Sequence, residues 1–132
     1  MIFNPEDSID FHGFTAPFIQ FTHARIKSIL RRQQPKGSSL STDLLPLEKA
    51  LIILVEQYPN LLQEAAQDHD PSKVAIYCYN LAKTFSSFYT EHSITNAESE
   101  EKMELRLQLA TLTAHVIKNG MNLLGINVPE RM

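Results

Sequence analysis

From Val74 to Phe88 the apolar residues Val74, Tyr77, Cys78, Leu81, Phe85 and Phe88 return every three or four positions. That spacing puts one continuous apolar stripe on an α-helix and cannot alternate across a strand. Asp70-Pro71 immediately before it supplies a cap and a preset first turn, so a helix is expected from there to near His92. The same period recurs along the chain. A helix is expected from near Ala16 to about Arg32, capped by Thr15 and started by Pro17, with Ile19, Ile26 and Leu30 inward and Gln20, Lys27 and Arg31 opposite. A second, from about Leu44 to Tyr58, packs through Leu47, Ala50, Leu51, Leu54 and Val55. Pro59 breaks it and starts a short helix through Leu61, Leu62 and Ala65. The last long helix runs from about Lys102 to Asn119 with Leu105, Leu109, Leu112, Val116 and Ile117 inward, and Gly120 and Gly125 punctuate its end. The 132 residues are enough for one core and too few for two. The expected fold is an all-α bundle of about five helices forming one domain over residues 1–132.

Several function classes drop out. The longest aliphatic run, Ala50–Val55, is far too short to span a bilayer, and the N-terminus does not read as a signal peptide. Cys78 is the single cysteine, which rules out an intrachain disulfide or thiolate cluster and fits a reducing, cytoplasmic setting. His12, His23, His69, His92 and His115 are scattered without metal-ligand spacing. Glu100, Glu101 and Glu104 gather at a helix start, where the dipole explains them better than acid–base work. A Gly-rich phosphate loop, a nucleophile elbow and an HExxH pair are all missing.

Charge is unevenly spread. The formal net charge is −3, yet no Asp or Glu lies between Asp10 and Asp43, an interval carrying Arg25, Lys27, Arg31, Arg32 and Lys36. That interval holds +5 and the remainder −8. Within it, helical spacing sets Phe18, Phe21 and Arg25 together beside the aliphatic face, and Arg32 continues the line. Aromatic planes next to cations in an acid-free segment are what unpaired bases and their phosphates require. Two duller roles stay open on these residues alone: the phenylalanines as core seals, and Arg25 as a stem covering apolar surface. His23, near Ile19 and Ile26, reads as a packed, hydrogen-bonded histidine.

Three motifs resemble one family. GFTAPFIQFTHARIKSIL, from Gly13, is similar to the segment that opens the C-terminal helical domain of arginyl-tRNA synthetases, the DALR anticodon-binding domain. LAKTFSSFY, ending at Tyr89, resembles that family's LAxxFxxFY helix. LLGINVPERM resembles its C-terminus, where a terminal methionine closes the polypeptide. Together they span about Phe3 to Met132 in the family's order.

The resemblance implies an RNA-binding module of arginine–tRNA ligase whose catalytic domain, with ATP and Mg, lies elsewhere in the same polypeptide. The HIGH and KMSKS motifs are missing, so the chain alone is expected to be inactive. Every arginine anticodon has a central cytosine, and in the family Phe18, Phe21 and Arg25 would line the anticodon surface while Tyr89 and Met132 approach that base. The implied partner is the tRNA(Arg) anticodon stem-loop. Two positions depart from the family: Phe18 and Phe21 stand where tyrosine is usual, which keeps stacking but loses phenolic hydrogen bonds, and Ala16 replaces a glycine. A helical protein-interaction domain, or the anticodon-binding domain of another class I synthetase such as the cysteine enzyme, are the alternative readings.

Overall fold

A computed structural model describes residues 15–38, 43–94 and 96–132. Asp10, His12 and Gly13 lie outside the described residues, as do 39–42, four of the ten residues between Gln33 and Thr42 inclusive.

Five helices are present among the described residues: α1 (Ala16–Arg32), α2 (Pro46–Glu56), α3 (Tyr58–Gln67), α4 (Ser72–Glu91) and α5 (Glu100–Leu123). Prolines set three of the starts, at the first positions of α1, α2 and α3, where the missing N–H costs nothing. Thr15 does not cap α1: its own backbone is already helical and its hydroxyl makes no cap bond. Asp70 does serve α4, accepting the Ser72 N–H at 3.1 Å, and Ser99 caps α5 by accepting the Lys102 N–H at 3.1 Å.

α4 and α5 form the central pair, with α1 and α2 each packed against both and α3 against α4 and α2. The α4 stripe is buried throughout, as its period requires, and meets Leu105, Leu109, Val116 and Ile117 of α5 and Ile19 and Ile26 of α1 in one core. Two expected core positions are not inside. Ala50 is exposed, and Leu112 is 48% exposed, because α5 turns that side to solvent between Leu109 and Val116.

In their place the interior holds charge. Glu48 of α2 and Arg106 of α5 are both fully buried and paired, Arg106 Nε to Glu48 Oε2 at 3.0 Å. Arg106 also donates to the Ser93 carbonyl at 2.7 Å and to Glu98 at 2.8 Å. Lys102 reaches the other Glu48 oxygen at 2.7 Å. Burial opposes ionisation of Glu48, but the Leu45 N–H, Lys102 and Arg106 outweigh it and hold the carboxyl below its usual range. Glu104 is likewise no solvated helix-start acid: it accepts the N–H groups of Lys36 and Gly37 and so ties the loop after α1 to α5.

Gly120 is a packing residue within α5 and not its end. A Cβ there would sit 2.6 Å from Cys78 Sγ, so this glycine sets how closely α4 and α5 approach. α5 stops at Gly125, whose φ of +77° only glycine adopts without strain. Ile126 N–H bonds the Met121 carbonyl at 2.9 Å and Gly125 N–H bonds Asn122 at 3.0 Å, the paired closure that ends a helix and turns the chain back on it.

Candidate nucleic-acid interface

α1 carries two adjoining stripes with different tasks. Gln20, His23, Lys27 and Arg31 fall on one, and Phe21, Arg25, Ser28 and Arg32 on the next.

The second stripe forms one wall of an open cavity of about 610 Å³, lined by Phe21, Ala24, Arg25, Ser28, Ile29, Arg31, Arg32, Tyr89, Arg131 and Met132. Arg25 occupies its middle, with its guanidinium carbon 5.0 Å from the centre of the Phe21 ring and 5.5 Å from that of Tyr89. Both distances lie within cation–π range. Tyr89 is itself stacked on buried Phe85, centroids 6.3 Å apart at 17°, so the core fixes the plane against which Arg25 rests. Phe21 is 47% exposed, with the Arg25 guanidinium over its ring. Among the described residues four arginines and no acidic side chain line the cavity, so they attract anions.

Of the residues singled out from sequence, Phe21, Arg25, Arg32, Tyr89 and Met132 meet here. Phe18 does not: it is half-buried and packs edge-on against Tyr79 of α4, centroids 5.9 Å apart, outside the cavity. Sequence reasoning missed Arg131, two residues from the proline that fixes the tail, although a cation beside Met132 was visible.

The first stripe holds the tail. Gln20 Nε2 donates to the Asn127 carbonyl at 2.8 Å, and Arg31 Nη1 donates to that of Glu130 at 3.0 Å. His23 Nδ1 lies 2.8 Å from the Pro129 carbonyl, a contact that requires the proton on Nδ1, since both oxygen lone pairs accept. Lys27 stands 4.0 Å from the Glu130 carboxylate. That side of α1 is therefore engaged by the tail, although Arg31 stays exposed. Leu124, Ile126 and Val128 help by packing on the core, whereas Leu123 is 62% exposed.

His23 is packed and hydrogen-bonded as expected, 1% exposed. Burial pushes its pKa below 6.5, and its Nε2 is buried with no hydrogen-bond partner among the described residues. The buried Cys78 thiol is pushed up to about 12 by burial and is chemically quiet.

An aromatic–cation cavity on an all-helical bundle, closed by a tail returned along its own wall, defines a class before any comparison. The chain belongs to the DALR anticodon binding domain family, whose model matches residues 19–132. It is similar to arginine–tRNA ligases of Flavobacterium psychrophilum, 49% identical over 100% of this chain and 22% of the relative, and of Parabacteroides distasonis, 44% identical over 100% and 23%. Among solved structures it resembles Thermus thermophilus arginyl-tRNA synthetase with a TM-score of 0.84 and 31% identity, over 98% of this chain and 23% of that one. The chain thus spans less than a quarter of the relatives' length.

Among the described residues no three His, Cys, Asp or Glu side chains gather as a metal-donor set. No described helix is long and apolar enough to cross a membrane.

Proposed function

We propose that this chain reads the anticodon of tRNA(Arg) as one domain of an arginine–tRNA ligase, acting in the cytoplasm, with ATP, magnesium and the attachment of arginine belonging to a catalytic domain of the same polypeptide. The observation that carries this reading is the placement of Arg25 between Phe21 and Tyr89 at the centre of the cavity.

The chemistry follows from the bases. Cytosine offers acceptors at O2 and N3 and a donor at N4, whereas uracil puts a donor at N3. Guanidinium has donors only. An Arg25 edge turned to the Watson–Crick side therefore favours cytosine over uracil, because with uracil two donors would face each other. Phe21, exposed and rigid, is a stacking platform for the same or a neighbouring base, as single-stranded loops are usually read. Arg32 and Arg131 at the rim suit phosphates, a contact set that makes binding salt-dependent. Met132 completes the wall.

The test is titration of an isolated arginine anticodon stem-loop with the chain and with Arg25→Ala. A loss of roughly tenfold or more with helicity intact supports the reading, since stacked and charge-assisted contacts are each worth about 1–3 kcal/mol. Undiminished binding by a folded Arg25→Ala chain overturns it.

A further inference from the structure

The tail is held to α1 almost wholly through its backbone. Asn127, Pro129 and Glu130 each give a carbonyl to Gln20, His23 and Arg31 in turn. The partners advance in the same order along both segments, so tail and helix run the same way. Beyond these ties, Arg131 and Met132 line the same cavity as Tyr89. One helix therefore builds the base platform with one stripe and, with the neighbouring stripe, fixes where the tail delivers its last residues.

His23 is the innermost of these ties. Pro129 has no N–H and cannot hold the tail through a donor of its own. The His23 ring is buried, and among the described residues its other nitrogen finds no partner, so its one polar contact there is the Pro129 carbonyl. Gln20 and Arg31 bonds are exposed and compete with water, whereas the His23 bond is part-buried and competes less. We infer that His23 is a positioning residue for base selection: through Pro129 it sets the place of Met132 in the cavity wall, with Gln20 and Arg31 in support. This rests on the anticodon-reading function proposed above.

Two substitutions separate the hydrogen bond from the packing. His23→Leu fills most of the space but donates nothing, and His23→Asn keeps a donor close to the position of Nδ1. Each is made in the 132-residue chain and in the same chain lacking Met132. All are titrated with stem-loops carrying C or U at the central anticodon position, with melting followed in parallel.

His23→Leu is expected to weaken binding of the central-C stem-loop roughly 3- to 10-fold, the worth of one sheltered hydrogen bond, and to change central-U binding little. His23→Asn retains most of the central-C affinity. In the chain without Met132, His23→Leu adds no further loss, because the residue it acts through is gone. Equal losses for C and U, an additional loss in the shortened chain, or no loss at all would overturn the inference while leaving the anticodon reading intact. A wild-type chain that binds neither stem-loop overturns that reading and this inference together. Hydrogen exchange then still separates the two parts: faster exchange over 127–132 in His23→Leu than in His23→Asn establishes the seat as a purely structural one.

Discussion

Arg25 on α1 and Tyr89 on α4 are one unit: the guanidinium lies 5.5 Å from the ring centre, and the ring is braced by Phe85. The charge at the centre of the cavity is thus held in a fixed plane by the packing of a different helix. Such a contact depends on the planarity of guanidinium as well as on its charge. Arg25→Lys should therefore lose most of the central-base selectivity while retaining much of the salt dependence. Titrations at two ionic strengths check this, and a lysine chain with unaltered selectivity would show that charge alone suffices.

Phe18 and Phe21 are predicted to differ. Phe21 is exposed on the cavity, so Phe21→Ala should cost about 1–3 kcal/mol in stem-loop binding with little change in melting. Phe18 packs on Tyr79, so Phe18→Ala should lower the melting temperature and affect binding less. The reverse pattern in paired melting and binding measurements would move the stacking platform to Phe18.

Arg106 and Glu48 form the buried ion pair of the interior. Removing one partner leaves the other buried with a single remaining ionic contact, Lys102 for Glu48 or Glu98 for Arg106, at a cost of up to about 3–5 kcal/mol. Glu48→Ala and Arg106→Ala are expected to lose stability on that scale in urea unfolding, far more than Glu130→Ala, whose partner Lys27 is a surface contact at 4.0 Å.

His23 gives the fold a pH dependence of known sign. Its folded pKa is depressed by burial, so its contribution is complete above 6.5 and is lost as pH falls through the lower folded value. Lys27 and Lys118 press the same way and Glu130 opposes them. The melting temperature should fall on acidification below pH 6.5 more for the wild type than for His23→Asn. Identical pH profiles would contradict this.

The helices were legible because each apolar stripe repeats at the helical period and prolines mark the starts. The α4 stripe from Val74 to Phe88 needed nothing further. Glu48 and Arg106 were not legible, although both stand on inward faces beside Leu51 and Leu105. A buried charge is tolerable only with its partner, and that partner lies on another helix. Gly120 looked like a helix end because sequence cannot show that Cys78 will sit against it. The cavity was read in outline from Phe21, Arg25, Arg32, Tyr89 and Met132. The tail's seat escaped, since its acceptors are main-chain carbonyls, which no residue type announces, and Gln20, Lys27 and Arg31 alone resemble a solvated face.

The central claim is that the Arg25 cavity reads an unpaired cytosine. The most direct measurement is the dissociation constant of the intact chain for an arginine anticodon stem-loop with C at the central position, beside the same stem-loop with U there, from low to moderate salt. Tighter binding to C is expected at every salt concentration, by roughly tenfold for a difference of about 1.4 kcal/mol, with both affinities falling as salt rises. Equal affinity for the two stem-loops, or binding indifferent to salt, would contradict it.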